Sequence, residues 1–303
     1  MTGIRLGIDF GGTKIEIAAL DPGGAILLRE RIANPGSYEA AVLAVKALVE
    51  AAEGAIGDRP GSIGLGVPGS PSPRTGLIRN ANSTWLNGRP FKDDLETALG
   101  RPVRMANDAN CLALSEARDG AGAGKDSVFA VILGTGCGGG LVIAGQLVEG
   151  AGGIAAELGH TPLPWLKSDE YPGPACWCGL QGCLETWISG SGFQRDFEAR
   201  TGQALSARQI AEAAHAGDDA ARAALDAYID RLGRALAMVA NIVDPACFVL
   251  GGGMSNVEEI YAPLPAIIGR YAFSDRWEGE VLQARWGDSS GVRGAAMLWD
   301  RAA

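Results

Sequence analysis

A pattern of strand, glycine turn and strand occurs twice in this sequence and restricts the possible folds more than any other feature. In the first copy the strands flank D-F-G-G-T-K at 9–14, and in the second they flank G-T-G-C-G-G-G at 134–140. The P-loop and the Rossmann glycine motif both require a helix after the glycines, so neither motif is matched. Backbone N–H groups in a glycine hairpin can still surround an anion. The repeat therefore predicts two similar lobes, each with a glycine hairpin suited to phosphate.

The composition is that of a folded protein with an acidic surface. The chain has 303 residues, 45 glycines and a formal net charge of -9, with a sequence pI near 4.9. An acidic surface disfavours nucleic acid as a partner, and no apolar run is long enough for a transmembrane helix. The first residues lack the regions of a signal peptide, so we expect a cytoplasmic protein that binds neither nucleic acid nor membrane. In that reducing compartment the six cysteines are expected to be thiols or metal ligands.

Periodicity and turn residues predict an α/β chain in which strands and helices alternate. Strands are expected at 5–9, 15–20, 25–32, 62–67, 103–106, 128–133, 141–144, 247–250 and 281–285. Helices are expected at 38–56, 91–99, 109–118, 219–243, 257–271 and 292–301, and a long polar loop at 71–90. The repeat suggests an N-terminal small lobe over 1–120 and a C-terminal large lobe over 121–303, with the last helix able to pack back on the small lobe.

Three glycine groups follow predicted strand ends and are the main candidates for a nucleotide site. Each group alone is equally compatible with a tight turn. Together they favour a nucleotide, with the first two loops at the phosphates and the third along the adenosine. Asp9 is placed to hold Mg²⁺ through water, because Mg²⁺ retains much of its hydration shell. The nucleotide-binding residues predicted in this way are Asp9, Gly11, Gly12, Thr13, Lys14, Gly134, Thr135, Gly136, Gly138, Gly251, Gly252 and Gly253.

The pair Asn107 and Asp108 lies between a predicted strand and a predicted helix. Both residues are good N-caps, and that structural role is the simpler interpretation of the pair alone. An Asp at the carboxyl edge of a strand can also act as the base that accepts a hydroxyl proton during phosphoryl transfer. Because the pair is flanked by the glycine loops, we favour Asp108 as the catalytic base.

A metal-type cluster follows the second glycine loop. Its four N and S donors suit tetrahedral Zn²⁺, although the C-x-C spacing is tighter than the common one. The alternative is a disulfide between Cys178 and Cys183, which a reducing compartment disfavours. A closed zinc site would be structural and would fix the loop that carries Glu157 and Glu185. The predicted ligands are His160, Cys176, Cys178 and Cys183.

Glu157 and Glu185, beside this cluster, are candidate sugar ligands. Exposed Glu is common without any function, but two carboxylates are well suited to accept hydrogen bonds from vicinal sugar hydroxyls. Trp85 and Trp187 could stack on a sugar ring, whereas core packing is expected for the other tryptophans. His215 is expected on the surface. Packing thiols are expected at Cys111, Cys137 and Cys247.

These motifs together resemble the ROK family of repressors, uncharacterised reading frames and sugar kinases. The resemblance rests on the two glycine motifs, on E-L-G-H at 157–160 and on C-W-C-G-L-Q-G-C-L-E at 176–185, and it covers nearly the whole chain. It implies a two-lobed α/β fold, actin-like and hexokinase-like (ribonuclease H-like), with ATP and sugar in the cleft between the lobes. It also implies phosphorylation of a hexose by ATP and Mg²⁺, and structural zinc on the four ligands. The implied sugar contacts are Asn107, Asp108, Glu157, His160 and Glu185.

Within the family, two further segments resemble bacterial fructokinases of the manno(fructo)kinase type. They are N-A-N-S-T-W-L-N-G at 80–88 and G-D-S-S-G-V-R-G-A-A at 287–296. This resemblance implies phosphorylation of D-fructose to fructose 6-phosphate, and we expect a homodimer. The alternatives are a glucokinase, a mannokinase or an N-acetylhexosamine kinase. The segment between His160 and Cys176 is longer than in the family's glucokinases and could alter substrate choice or the dimer contact.

A sugar-sensing regulator of the same family is the alternative that is not an enzyme. Such regulators carry an N-terminal winged helix-turn-helix, which we do not expect here because the first strand begins by Arg5. The acidic net charge also disfavours DNA. The presence of Asp108 favours an enzyme over a sensor that has kept only the fold.

Overall fold

A computed structural model describes residues 3–57 and 61–300 of the chain. The chain divides into two compact units. The first comprises Met1–Gly120, Gly140–Ala155 and Asp288–Ala303, and the second comprises Ala121–Gly139 and Ala156–Gly287. The sequence-based boundary after residue 120 is therefore one of several places where the chain passes from one unit to the other. Two stretches after that boundary, one in the middle of the chain and one at its end, belong to the first unit.

Strands and helices alternate along much of the chain, as the periodicity predicted. The strands are β1 (Arg5–Phe10), β2 (Lys14–Leu20), β3 (Ile26–Ala33), β4 (Ser62–Val67), β5 (Ser70–Pro71), β6 (Ile78–Arg79), β7 (Arg104–Asn107), β8 (Ser127–Leu133), β9 (Cys137–Ile143), β10 (Gln146–Leu147), β11 (Cys247–Gly251) and β12 (Glu280–Gln283). The α-helices are α1 (Tyr38–Ile56), α2 (Phe91–Leu99), α3 (Asp108–Arg118), α4 (Glu185–Ile188), α5 (Gly190–Thr201), α6 (Ala207–His215), α7 (Asp219–Val243), α8 (Leu264–Tyr271) and α9 (Ser290–Met297).

Two five-stranded sheets in the described part of the chain have the same arrangement, which agrees with the predicted repeat. Their strand orders are β3-β2-β1-β4-β7 and β10-β9-β8-β11-β12. The first strand of each repeat, β1 or β8, has the next strand of its glycine hairpin on one side and parallel strands on the other. Thus β4 pairs parallel with β1, and β11 pairs parallel with β8. The two glycine turns connect equivalent strands of the two sheets.

Helices cover both faces of the sheet in the first unit. On one face Ile8 and Phe10 belong to a buried cluster with residues of α1 and α2. On the other face α9 packs closely on β1. A side chain at Gly7 would overlap the carbonyl oxygen of Val292, so this approach requires glycine. The C-terminal helix is therefore part of the unit in which the chain begins.

The long helix α7 is central to the second unit. Tyr228 of this helix is fully buried, and its hydroxyl donates to the carbonyl of Ile188 at 2.9 Å. Phe129 of β8 and Phe248 of β11 pack against each other with ring centroids 6.0 Å apart. Within residues 3–57 and 61–300, no helix is both long and apolar enough to cross a membrane.

Four predicted elements differ from the structure. The helix expected at 257–271 consists of a 3₁₀ turn, Glu258–Ile260, and of α8, because Pro263 has no N–H and disfavours helix in the residue before it. The second glycine turn is shorter than expected, since β9 begins at Cys137. The polar loop at 71–90 contains the hairpin of β5 and β6 and a 3₁₀ turn, Thr84–Leu86. The last helix ends at Met297, and residue 301 lies outside the described residues.

Candidate functional site

The first glycine turn is tied down at its base and presents its tip to solvent. The N–H of Gly11 donates to the carbonyl of Lys14 at 2.9 Å, and the side-chain amide of Asn34 donates to the carbonyl of Gly11 at 2.7 Å. Gly12 and Thr13 are exposed between these anchors. An exposed turn that is held at its base can offer its backbone to an anion without further rearrangement.

Asp9 lies half-buried where β1 leads into this turn. Burial, together with the charges of Asp108 and Glu16, raises the pKa of Asp9 to about 7, while the charge of Lys14 opposes the rise. A carboxylate whose pKa is raised by burial and by neighbouring negative charge is stabilised as an anion by a bound cation. The donor set at Asp9 therefore fits the predicted Mg²⁺, which prefers carboxylate oxygen and water.

The junction of β7 and α3 positions Asn107 and Asp108. Asn107 is the N-cap: its side-chain oxygen accepts from the N–H of Ala109 at 2.9 Å, and its amide donates to the carbonyl of Gly69 at 3.0 Å. The structural alternative is therefore correct for Asn107. Asp108 is the first residue of α3, and its Oδ1 also accepts from the N–H of Ala109, at 2.8 Å. The helix dipole at this end favours the ionised carboxylate that a base requires.

Asn110 is a polar residue of the same turn that the sequence analysis missed. Asn107 and Asn110 both line a cavity of about 720 Å³ in the first unit. The Oδ1 atom of Asn110 is buried and has no hydrogen-bond partner among the described residues. A buried acceptor without a donor costs about 1–3 kcal/mol, so this atom is suited to accept a hydrogen bond from a ligand. The only signal in the sequence is its position three residues after Asn107, on the same side of the helix.

The second and third glycine loops line one cavity in the second unit. Gly134, Thr135 and Gly253 contribute to its wall, and its volume is about 1410 Å³. Gly252 has a φ of 81°, and a side chain at this position would lie 2.7 Å from the backbone of Leu133. Glycine is therefore required where the third loop approaches the second. The cavity is large enough for a nucleotide.

Some of the predicted nucleotide residues do not line this cavity in the described part of the chain: Gly136, Gly138, Gly251 and Gly252. Gly138 lies within β9, and Gly251 is the buried last residue of β11. Gly136 faces Glu185 instead, since a side chain there would lie 2.6 Å from its Oε2 atom.

Two helices that the sequence analysis did not assign supply other walls of the same cavity. Residues of α6 line one side. Ser189 caps α5, and the hydroxyl of Ser191 donates to the carbonyl of Thr135 at 2.7 Å. The amino end of α5 therefore lies beside the second glycine turn, where its dipole favours an anion. S-G-S-G at 189–192 carries an N-cap signal that could have revealed this helix start.

The predicted zinc ligands lie together. Their donor atoms are all within 4.8 Å of one another. The Sγ atoms of Cys178 and Cys183 are 3.6 Å apart, and the Sγ of Cys176 is 3.6 Å from the Nδ1 of His160. Bond lengths of about 2.0–2.3 Å place the ligands of a tetrahedral zinc ion roughly 3.3–3.8 Å apart. The donor set and spacing therefore fit zinc, and the alternative of a disulfide is wrong because both cysteines are free.

Glu185 is held by one hydrogen bond to each of its carboxylate oxygens. The N–H of Cys137 donates to Oε2 at 3.0 Å, and the indole N–H of Trp177 donates to Oε1 at 2.7 Å. Trp177 also lies edge-on to the ring of His160, with centroids 4.9 Å apart. Burial raises the pKa of Cys137, and the charges of Glu185 and Glu157 raise it further. The structure thus brings Glu157, His160 and Glu185 close together, with Trp177 as a contact that the sequence analysis missed.

The long segment at 161–175 is anchored to α7 by buried ion pairs. Glu170 accepts from the Nε of Arg231 at 2.9 Å and from the Nη2 of Arg234 at 2.6 Å, and none of the three side chains is more than 2% exposed. Burial alone would raise the pKa of Glu170, but hydrogen bonds from Arg234, from the N–H of Lys167 and from Arg231 lower it to about 2. This anchor fixes the segment that leads into the cysteine cluster.

Most residues expected to have structural roles do so, with three corrections among the tryptophans. Core packing was expected for Trp165 and Trp177, but they are 45% and 63% exposed. Trp187, a candidate for stacking on sugar, is buried beneath the guanidinium of Arg231, which lies 4.2 Å from its ring centroid. Trp85 lies edge-on to Phe10 at 6.0 Å. His215 is on the surface, as predicted. The expected packing thiols are all buried: Cys111, Cys137 and Cys247.

Comparison with known proteins agrees with this geometry. Residues 5–302 match the model of the ROK family. The N-acetyl-D-glucosamine kinase of Pasteurella multocida (strain Pm70) is 39% identical over 302 residues, which cover 98% of this chain and 99% of that protein. The structure of a ROK hexokinase from Thermus thermophilus is similar with a TM-score of 0.86 and 34% identity, covering 97% of each chain. A ROK family glucokinase from Streptomyces griseus, solved with glucose and AMPPNP, has a TM-score of 0.80 and 33% identity over 98% of this chain and 99% of its own.

These similarities support the predicted sugar kinase. They do not confirm the fructokinase subgroup, since the relative from Pasteurella multocida is an N-acetyl-D-glucosamine kinase. The fold prediction is confirmed: the mixed α/β chain with two sheets matches hexokinase-like structures of this kind. Because the family match spans nearly the whole chain, this protein belongs to the ROK family, among its sugar kinases.

Proposed function

We propose that this protein transfers the terminal phosphoryl group of ATP to a hydroxyl of N-acetyl-D-glucosamine. The observation that carries the proposal is the 39% identity, over 98% of the chain, to the N-acetyl-D-glucosamine kinase of Pasteurella multocida. Glu185 adds support, because a carboxylate held through both oxygens still has acceptor positions for sugar hydroxyls. D-Fructose, which the sequence resemblance favoured, is the competing substrate.

Asp108 is the proposed base. It would accept the proton of the attacking hydroxyl and orient the oxygen in line with phosphorus. Its position at the amino end of α3 supports this role, since a helix dipole favours negative charge at that end. The other proposed ligands of the sugar are Asn107, Glu157, His160 and Glu185.

Asn110 is the proposed contact for the acetamido group. Its buried Oδ1 lacks a hydrogen-bond donor among the described residues, and it lines the same cavity as Asn107. The acetamido N–H of an N-acetylated sugar would satisfy this acceptor, whereas glucose offers a hydroxyl at the same carbon. Glucose does not lack a donor here, but its hydroxyl can rotate to another acceptor, whereas the N–H of the planar acetamido group has a fixed direction, so the contact favours the N-acetylated sugar.

The nucleotide is assigned to the glycine loops and to the cavity of the second unit. Gly12 and Thr13 at the exposed tip of the first turn are proposed for the phosphates. Thr135 is proposed to contribute from the second turn, beside the amino end of α5. The cavity beyond it, lined in part by Gly253 and by α6, is proposed for the adenosine. Mg²⁺ held near Asp9 would neutralise phosphate charge when bound.

Zinc is proposed to be structural. His160 and the three cysteines would supply all four ligands of a tetrahedral zinc ion, which would leave no position for substrate. The Nδ1 of His160 lies next to Cys176, so Nε2 is the ring nitrogen proposed for the sugar. The metal would thus fix the loop that presents His160 and Glu185. The homodimer and the cytoplasmic location stay predictions.

A coupled assay of ADP release tests the proposal. Purified protein would be supplied with ATP, Mg²⁺ and one sugar at a time from N-acetylglucosamine, N-acetylmannosamine, glucose, mannose and fructose. We expect the highest kcat/KM with N-acetylglucosamine. A higher value with fructose would support the fructokinase subgroup instead, and no turnover of any sugar would support the sugar-sensing alternative.

A further inference from the structure

Trp177 occupies an unusual place in the second unit, between two of the proposed zinc ligands. It is 63% exposed, although its ring is large and apolar. Its indole N–H donates to the Oε1 of Glu185 at 2.7 Å. Its ring stands at 89° to the ring of His160, with centroids 4.9 Å apart. One exposed side chain therefore contacts two of the residues proposed to bind the sugar.

The contact with Glu185 determines which acceptor positions the carboxylate has left. A carboxylate offers about four acceptor positions on its two oxygens. Trp177 takes one on Oε1, and the N–H of Cys137 takes one on Oε2. The two donors come from different parts of the unit, so the carboxylate is fixed in both position and rotation. One acceptor position on each oxygen remains, which matches a pair of neighbouring hydroxyls.

We propose that Trp177 is a positioning residue for the sugar, acting through Glu185 and His160. Its N–H holds the carboxylate of Glu185 in the orientation that receives two hydroxyls, and its ring limits the rotation of His160. The inference rests on the proposed sugar-binding role of these two residues. Binding to a carboxylate that is already oriented avoids the cost of ordering it, which increases affinity.

A role in packing alone does not account for this geometry. A packing tryptophan buries its ring, as Trp187 does at 5% exposure, whereas most of Trp177 is open to solvent. The cysteine cluster also has its own contacts, because the Sγ atoms of Cys178 and Cys183 are 3.6 Å apart. Trp177 therefore has little to add to the core, and its hydrogen bond to Glu185 is its most specific contact.

The variant Trp177→Phe tests the proposal, since it retains an aromatic ring beside His160 and removes the N–H. Hydrogen bonds to charged groups are strong enough that we expect the Kd for N-acetylglucosamine, measured by calorimetry, to rise about tenfold. The KM for the sugar should rise similarly, while kcat and the KM for ATP stay within twofold of wild type, because the lost contact serves sugar binding in both ground and transition states. The zinc content should be unchanged.

Trp165→Phe is the matched control. Trp165 lies in the segment that leads into the cluster, is 45% exposed, and packs on Tyr271 with centroids 4.8 Å apart. It contacts neither Glu185 nor His160 in the hydrogen bonds and ring pairs of the described residues. We expect its sugar Kd to stay within twofold of wild type. A Trp177→Phe protein that binds the sugar as tightly as this control and retains its zinc would overturn the proposal.

A double-mutant cycle with Glu185→Gln shows whether Trp177 acts through Glu185. If it does, the Trp177→Phe change should weaken sugar binding much less in the Glu185→Gln background than in wild type. Equal effects in the two backgrounds would contradict the proposed route. If the wild-type protein does not bind N-acetylglucosamine, the proposed substrate is wrong, and the cycle is then repeated with the sugar that the assay panel identifies.

A spectroscopic measurement tests the hydrogen bond without changing residue 177. In protein labelled with ¹⁵N at the indole of its seven tryptophans, the Trp177 signal should shift when Glu185→Gln replaces the charged acceptor. The same signal should shift when sugar is added to the wild type. If all indole signals coincide in wild type and Glu185→Gln, the hydrogen bond is absent in solution and the proposal fails.

Discussion

At the scale of single residues, a substitution at Asp108 can distinguish a role in catalysis from a role in sugar binding. The carboxylate is the first residue of α3 and is proposed to take the proton of the sugar hydroxyl. Asp108→Asn retains the size of the side chain and one acceptor oxygen but removes its basicity. We expect kcat to fall by about 10²–10⁴, with the sugar Kd within a few fold of wild type. Steady-state kinetics and calorimetry would measure the two quantities separately.

Asp219→Asn is the control for this substitution. Asp219 is also the first residue of an α-helix, α7, but it is exposed and away from the residues proposed for the site. Asp219→Asn should leave kcat within twofold of wild type. That result would show that loss of a charge at the start of a helix is not enough to stop turnover. An Asp108→Asn enzyme as fast as the wild type would eliminate Asp108 as the base.

Asn110 is the residue with which sugar selectivity can be tested. Asn110→Ala removes the buried acceptor that we assign to the acetamido N–H. We expect the ratio of kcat/KM for N-acetylglucosamine to that for glucose to fall about tenfold, because the N–H of the planar acetamido group has a fixed direction toward this acceptor, whereas the hydroxyl of glucose can rotate to another partner. Glucose kinetics in the same variant serve as the internal control. An unchanged ratio would remove Asn110 from the proposed sugar site.

At the scale of elements, the segment at 161–175 depends on an ion-pair anchor. Glu170 has its pKa lowered to about 2 and is paired with Arg231 and Arg234 of α7. A carboxylate with a lowered pKa stabilises the folded state above its unfolded value of about 4.3, and that stability is lost as pH falls toward 2. Glu170→Gln leaves two buried arginines without this partner, so we expect a loss of about 3–5 kcal/mol in the free energy of unfolding at pH 7.

Urea unfolding between pH 7 and pH 3 would measure this effect. The difference between wild type and Glu170→Gln should narrow as the pH falls below about 4.3, because the wild-type carboxylate becomes increasingly protonated in the unfolded state. Glu278→Gln is the control: Glu278 forms an exposed pair with Arg276, and its loss should change stability by less than about 1 kcal/mol. A difference at pH 7 no larger than that of the control would show that the anchor does not stabilise the fold.

The loop that carries the cysteine cluster is expected to depend on a zinc ion for its stability. We expect about one zinc per chain by elemental analysis, and we expect a strong chelator to lower the Tm by several degrees, since a structural site contributes its binding energy to folding. Cys176→Ser should lose the metal. Cys247→Ala, which removes a buried thiol outside the cluster, should retain it. A metal-free protein with unchanged Tm and turnover would contradict a structural zinc site.

Some elements could be predicted closely from the sequence because their signals are local. The helices at 38–56 and 91–99 have the predicted bounds, and each ends at a glycine in the left-handed region, Gly57 and Gly100 with φ of 66°. The helix at 257–271 was wrong because Pro263 interrupts an otherwise helical pattern. Local signals such as a C-terminal glycine thus allow helix ends to be predicted. At 257–271 the periodicity alone predicted a helix, but the proline prevents one continuous helix there.

The candidate site was predictable only where its residues occur in short motifs. The cysteine spacing led to the cluster, and the glycine runs led to the turns. Trp177 and Asn110 could not be found in this way, because their significance depends on contacts with Glu185 and on the lack of a donor near a buried oxygen. The same holds for α6, which lines the cavity although its sequence resembles that of any surface helix. Sequence patterns carry residue types and spacings but not these tertiary distances.

At the scale of the whole molecule, the first unit needs both ends of the chain. β1 begins at Arg5, yet the helix that covers one face of β1 and β4 is α9, which ends at Met297. A side chain at Gly64 would overlap the carbonyl oxygen of Ala295, just as one at Gly7 would overlap Val292. The sheet and the helix are therefore in direct backbone contact, and this face of the sheet can be covered only after α9 has been added.

Gly294→Ala tests this dependence with a single methyl group at the far end of the chain. The added Cβ would overlap the carbonyl oxygen of Cys111 in α3, so α9 and α3 must move apart, and the packing of α9 on the sheet is disturbed as a result. Overpacking of this kind costs about 1–3 kcal/mol.

Gly269→Ala is the matched control, because Gly269 lies exposed in α8 with nothing within 4 Å of the added Cβ, and Ala is the better helix former. We expect the control to be neutral or slightly stabilising. Amide hydrogen exchange should show faster exchange in β1 and β4 of Gly294→Ala, although both strands lie more than two hundred residues away from the substitution in sequence. If exchange in those strands is unchanged while α9 alone loses protection, the C-terminal helix covers the first unit without stabilising it.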